Sequence, residues 1–240
     1  MSAQAKNRLL PENFYPLSLS LRGKEVIVFG GDLAAFSELL RLLEAGATVT
    51  VVSSAFVCEI QELHITYGKR LELVRVSEAK YLEKCEDLAR FSLVFALSAN
   101  QLANEKAAAL AASSNVPFYF VAGSGCTFVP VTVFKRGHVR ISVSSDGICP
   151  PLETALMQRI EEVLVNDFDR YSVFLDSVQE IQEQLSTESV ADGLKTWFEL
   201  NTSESLASAL SRQNFEEAIS IIQQLQKNSE LSADISEEAN

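Results

Sequence analysis

The stretch Glu25-Val-Ile-Val-Phe-Gly-Gly-Asp-Leu-Ala-Ala35 constrains this chain more than any other. Residues 26–29 are a short continuous apolar run with β-branched members, bounded by Lys24-Glu25 and Gly30-Gly31. That pattern predicts a strand covered on both faces. Leu33, Phe36, Leu39, Leu40, Leu42 and Leu43 then recur at helical spacing, and Gly46 stands where a helix C-terminal glycine belongs. Residues 48–52 read as a second strand, ending in Ser53-Ser54. Strand, helix and strand in so short a span form a βαβ unit, which requires a parallel sheet and a right-handed crossover.

The pattern continues. Residues 71–76, 93–97 and 118–122 are strand-like. Residues 81–88 read as a helix or turn, and the alanine-rich segment 101–112 as a helix ended by Asn115-Val116-Pro117. This is the order of an α/β, Rossmann-type doubly wound parallel sheet, whose ligands bind outside the carboxyl ends of the strands. The character then changes. Residues 127–134 are β-rich, Lys135-Arg136-Gly137 is a turn, and residues 138–143 alternate polar with apolar. Such an antiparallel ribbon often completes its core on a partner chain, so a homodimer is expected. Ser144-Ser145-Asp146-Gly147 forms a polar turn, and Pro150-Pro151 opens a series of helices. The expected division is a Rossmann domain at 14–117, a strand-rich dimerisation region at 118–150, a helical domain at 151–227 and a disordered acidic tail at 228–240. Phe14-Tyr15-Pro16-Leu17 is expected to anchor the N-terminus.

A strand–glycine–helix turn holds a pyrophosphate because the first helical N–H groups lack partners and the helix dipole favours an anion there. The full fingerprint is G-x-G-x-x-G/A. Aligned on Phe29-Gly30-Gly31-Asp32-Leu33-Ala34, the first glycine is a phenylalanine, the second is Gly31 and the third position is Ala34. Asp32 then sits where its charge faces a phosphate. No acid closes the second strand to take a ribose; Ser53 and Ser54 stand there, with no preference for NAD over NADP.

Charge and cysteine usage exclude other classes. The net charge is -12, and residues 151–240 carry five Lys/Arg against 18 Asp/Glu, which repels nucleic acid. Cys58, Cys85, Cys126 and Cys149 form no C-x-x-C pair, and His64 and His138 are the only histidines, so no metal site is expected. The thiols are expected to be reduced and mostly buried. No apolar run approaches the roughly 18 residues that span a bilayer, and no signal-peptide stretch opens the chain, so the expected location is cytoplasmic with no membrane contact.

Residues 14–35 resemble the opening of the precorrin-2 dehydrogenases and sirohydrochlorin ferrochelatases of siroheme synthesis, whose pattern there ends V-V-G-G-G-x-V-A. Residues 42–51, Phe128-Val129-Pro130, Arg136-Gly137, residues 139–147 with Pro150, and Trp197-Phe198-Glu199-Leu200 extend the resemblance over roughly 14–226. It implies an NAD-binding domain, a dimerisation region and a helical domain. It also implies NAD-dependent oxidation of precorrin-2 to sirohydrochlorin, with iron insertion in some members. By matched position, Gly30, Gly31, Asp32 and Leu33 fall on the cofactor turn, and Ser54 and Ala55 near the adenosine. Ser144, Ser145 and Gly147 fall beside the tetrapyrrole pocket.

Three ligand positions depart from the family. The aspartate ending an N-x-V-D turn falls near Gly123, in Phe120-Val121-Ala122-Gly123, and no Asp or Glu lies between Glu105 and Asp146. No residue is therefore assigned as catalytic; Asp146 is the one substitute carboxylate considered. The T-x-D-x-x-x-N segment reads Ser98-Ala99-Asn100-Gln101-Leu102-Ala103-Asn104, without its acid. The S-P-x-x-A-R segment reads Cys149-Pro150-Pro151-Leu152-Glu153-Thr154, without the arginine that suits a substrate carboxylate. The function expected is precorrin-2 dehydrogenation with weak or no chelation. The alternative is a dimeric module that binds a tetrapyrrole, a nucleotide or a partner without turnover.

Overall fold

The structure, a computed structural model, describes residues 14–121, 125–165, 167–184, 200 and 202–225. The N-terminal residues 1–13, the position near Gly123, most of the 194–200 segment and the tail at 228–240 lie outside the described residues. The chain divides into two compact units, Met1–Val131 with Asp146–Ile148, and Thr132–Ser145 with Cys149–Asn240.

The first unit is built on strands β1 (Glu25–Phe29), β2 (Thr48–Ser53), β3 (Leu71–Arg75), β4 (Leu93–Ala96) and β5 (Phe118–Phe120). They form one parallel sheet in the order β3-β2-β1-β4-β5. Helices α1 (Leu33–Glu44), α2 (Cys58–Tyr67), α3 (Glu78–Lys84) and α4 (Gln101–Ser113) make the crossovers. β1 is central, and Val26, Ile27, Val28 and Phe29 are all fully buried, which is why the run is apolar without alternation. Val26 and Val28 enter one core with Leu39, Leu43, Val51 and Ile60. Ile27 and Phe29 face the other, with Val94, Ala107, Ala111 and Phe118. The alanines let α4 lie close against its strands: Ala107 and Ala111 are 0% exposed.

Several local expectations change. α2 was unforeseen: Ile60 and Leu63 are its only buried residues, and no side chain caps it. α3 starts earlier than the predicted 81–88 segment, at Glu78. Phe118–Phe120 pairs with β4 in parallel, so the strand expected at 118–122 joins the sheet but ends at Phe120. Tyr15 and Leu17 are 84% and 68% exposed, and the residue that seats this end in the core is Leu21. All four cysteines are free, but Cys58, at the start of α2, is exposed and the other three are only half-buried.

The second unit opens with the antiparallel hairpin β6 (Thr132–Arg136) and β7 (Val139–Val143). Arg136 pairs with Val139, so the turn is Gly137-His138, and the predicted turn residues Lys135 and Arg136 lie in the strand. Gly137 has φ +56 and a Cβ there would lie 2.8 Å from that of Ser172, so glycine is required. α5 (Pro150–Leu164) and α6 (Phe168–Gln184) pack on the hairpin, with the Phe134 and Phe168 rings 4.7 Å apart. α7 (Glu204–Ser211) and a helix at 215–225 enclose Leu206, Ala209, Ala218 and Ile222 against Phe174.

Candidate functional sites

The first candidate site lies at the carboxyl ends of β1 and β4, where the winding of the sheet reverses. That switch point is where open α/β sheets hold their ligands. Gly30 leaves β1 with φ +130, and a Cβ there would lie 2.8 Å from the Leu97 carbonyl oxygen. Gly31 is constrained from the other side: a Cβ would strike the Ala55 carbonyl and approach the Ser53 side chain. Backbone bonds lock the turn between its neighbours. The Gly30 N–H donates to Val52 (3.0 Å), Leu97 N–H to Phe29 (2.8 Å) and Val57 N–H to Gly31 (2.9 Å).

These constraints correct the alignment of the fingerprint. The strand-end glycine with the left-handed turn is Gly30, so it fills the first position. The close helix–strand contact belongs to Ala35, 0% exposed, whereas Ala34 is exposed. The register is Gly30-Gly31-Asp32-Leu33-Ala34-Ala35, and the altered position is the second glycine, now Asp32.

Asp32 is the N-cap of α1. Its backbone is extended (φ -100, ψ -171), and its carboxylate Oδ1 accepts from Ala34 N–H at 3.0 Å and Ala35 N–H at 3.1 Å. Leu33, Ser54 and Ala55 are exposed at the rim, and Ser53 is buried. Across the switch point, Asn104 holds the loop after β4. Its side chain accepts from Ser98 N–H (2.9 Å) and donates to the Ser98 carbonyl (2.7 Å). Asn100 caps α4 by accepting from Ala103 N–H (3.2 Å). The amide that replaces the family's acid thus keeps the cap and drops the charge.

The fit of a dinucleotide is uneven. The strand ends and the serine-lined rim suit an adenosine. The N-terminus of α1 suits a pyrophosphate less well, because two of the amides that would face it, those of Ala34 and Ala35, already hold the Asp32 carboxylate.

The second candidate site is the turn that enters α5. Glu153, 4% exposed, accepts from Ser145 N–H (2.8 Å), Ser145 Oγ–H (2.7 Å) and Thr132 Oγ1–H (3.1 Å). Ser145 Oγ in turn accepts from Cys149 N–H at 2.9 Å. Burial pushes the Glu153 carboxyl up, but the hydrogen bonds from Ser145 and Thr132 outweigh it and hold the group below its ordinary value. Ser144 is exposed, and Asp146 and Gly147 take left-handed conformations, φ +53 and +75. An aspartate in that conformation serves the turn itself. Glu153 was not singled out from sequence; the signal for it was the departure at the S-P-x-x-A-R segment, where an acid replaces alanine.

Neither His64 nor His138 enters the hydrogen bonds described for these sites. The His64 Nδ1–H donates to the Leu71 carbonyl (2.6 Å), and His138 pairs with Asp176 (2.9 Å) on an exposed surface.

Residues 17–130 match a family described as putative NAD(P)-binding. A precorrin-2 dehydrogenase of Bacillus subtilis is 30% identical over 158 residues, 64% of this chain and 90% of that protein. A siroheme synthase of Methylobacillus flagellatus is 30% identical over 174 residues, 72% of this chain and 36% of that protein. The chain spans only about a third of the length of the siroheme synthases it matches (30% and 36% of two of them). A solved structure, SirC, precorrin-2 dehydrogenase, superposes with a TM-score of 0.57 at 20% identity, covering 89% of this chain and all of that one (100%), and so shares its fold.

Proposed function

We propose, for a chain that belongs to the precorrin-2 dehydrogenase family, the NAD-dependent oxidation of precorrin-2 to sirohydrochlorin. The observation that carries the proposal is the glycine turn at the switch point, with Gly30 packed on the Leu97 carbonyl between the ends of β1 and β4. Bound NAD would supply the chemistry by accepting a hydride. The chain's own part is binding and orientation. Gly30, Gly31 and Leu33 shape the turn, and Ser54 and Ala55 line the adenosine end. Ser144, Ser145 and Gly147 shape the substrate turn, with Glu153 fixing the Ser145 hydroxyl. Iron insertion is not part of the proposal.

We also propose a homodimer in the cytoplasm. The β6–β7 hairpin has two unpaired edges among the described residues, and an edge is a template for a second chain. Among those residues no helix is long and apolar enough to cross a membrane.

The test is to incubate purified protein with precorrin-2 and NAD while following NADH and sirohydrochlorin absorbance together. Formation of neither product overturns the reading. The second reading, a binding module without turnover, is favoured by one feature: no carboxylate lies between Glu105 and Asp146. It requires a tetrapyrrole spectral shift on mixing with no NADH formed.

A further inference from the structure

We infer that Asp32 sets the dinucleotide affinity of this chain by occupying, with its own carboxylate, the amides that a pyrophosphate needs. The inference rests on the dehydrogenase reading for the identity of the ligand, and on the geometry of the turn for everything else.

A helix N-terminus attracts an anion through N–H groups that have no intrahelical partner. In α1 the amides of Ala34 and Ala35, at the second and third helical positions, both point at Asp32 Oδ1, at 3.0 and 3.1 Å. An incoming phosphate meets donors that are already satisfied, and by a group of its own sign. No Lys or Arg occurs between Lys24 and Arg41, so neither the turn nor the first two turns of α1 offers a cation to offset that charge.

The backbone of the turn is held in place and cannot shift to replace those two donors. Gly30 and Gly31 sit against the Leu97 and Ala55 carbonyls, and the Gly30 N–H and the Gly31 carbonyl are bonded to flanking strands and loops. Two routes to a bound pyrophosphate remain. Either the Asp32 side chain swings out and forfeits its cap, or the phosphates stand off from the helix. Both weaken binding relative to a chain with glycine at 32. The residue therefore acts as a built-in competitor, and the adenosine end of the site should be indifferent to it.

The variants separate occupancy from charge. Asp32→Gly removes the carboxylate, and glycine is itself an accepted N-cap, so the fold survives. Asp32→Asn keeps an equally good cap without the charge. The full chain and both variants are titrated with NADH, followed by nucleotide fluorescence, and with adenosine by calorimetry; circular dichroism melts confirm folding. NADH affinity should rise in the order wild type, Asp32→Asn, Asp32→Gly, with at least about a tenfold gain for glycine, equivalent to about 1.4 kcal/mol. Adenosine affinity should stay level. If wild type and Asp32→Gly bind NADH within about twofold, the inference falls while the NAD reading stands. NADH bound by Asp32→Gly alone supports the inference and overturns the dehydrogenase reading for the native chain. No NADH bound by any of the three overturns both.

Discussion

Glu153 is a buried carboxylate with three donors, and its removal is the sharpest test of the α5 turn. Its Oε1 takes the Ser145 N–H and hydroxyl, and its Oε2 the Thr132 hydroxyl. A hydrogen bond to a charged group contributes about 1.5–3 kcal/mol in mutational series, and burying the charge offsets part of that. Ser145 and Thr132 are only half-buried, so water can reach their hydroxyls once the acid is gone. The stranded Ser145 amide and the vacated space remain. We therefore expect Glu153→Ala to cost about 3 kcal/mol, and Glu153→Gln, which keeps an oxygen toward Ser145, about 1.5 kcal/mol. The pH dependence has a definite sign. The folded carboxyl sits below its ordinary value of 4.5, so its stabilisation is complete above that value and is lost as pH falls through the folded value. The gap between wild type and Glu153→Gln should hold at neutral pH and close below pH 4.5. Urea unfolding by circular dichroism measures the gap. Amide exchange in the 144–150 peptide localises it, which matters because a chain of two units need not unfold in one step. A gap that persists unchanged in acid, or Glu153→Gln as stable as wild type, would refute the role given to the carboxylate.

Other predictions follow from the same kind of geometry. Gly30→Ala should cost about 3 kcal/mol, since φ +130 strains any side chain and the Leu97 oxygen is in the way; a fall in thermal midpoint checks it. Asn104→Ala should cost about 2–3 kcal/mol by freeing both buried backbone groups of Ser98, and should raise amide exchange at residues 97–100. Asp176→Asn should change stability by less than about 0.5 kcal/mol, because the His138–Asp176 pair is 53% exposed on each side; a shift of several degrees in melting would contradict this.

What was legible in the sequence was whatever burial writes into composition. A strand covered on both faces is apolar throughout, so the sequence places β1 and β4, and the β-branched run TVTVV places β2. The alanines of α4 and the prolines of α5 announced those helices as directly. α2 was illegible because it buries only two side chains and lacks a capping hydroxyl. The hairpin turn slipped because Lys135 and Arg136 look like turn residues, yet an exposed strand position tolerates a charge. The glycine fingerprint slipped by one residue for a different reason. Two adjacent glycines allow two alignments, and only the left-handed φ of Gly30 and the burial of Ala35 choose between them. Glu153 was legible only as a departure from the family pattern, because its role lies in Ser145 and Thr132, eight and 21 residues away.

Asp32 and Glu153 point to a common physical principle. Each stands where the family pattern has a small residue, glycine in one case and alanine in the other. Asp32 puts its carboxylate on first-turn N–H groups of α1, which lack intrahelical partners, and Glu153 puts its own on the Ser145 N–H in the turn that leads into α5. A scaffold built to receive an anionic ligand carries such donors as a standing cost, met only when the ligand is bound. A side-chain carboxylate meets that cost permanently. It adds a favourable charge–dipole interaction and leaves the surrounding packing alone. Among the described residues no buried side-chain polar atom lacks a partner. Stability gained this way competes with ligand affinity at the same atoms. The two should therefore move in opposite directions for Asp32→Gly. At Glu153, which braces the substrate turn instead of occupying it, they should fall together. Measuring stability and ligand affinity for both sets of variants distinguishes a plugged site from a braced one.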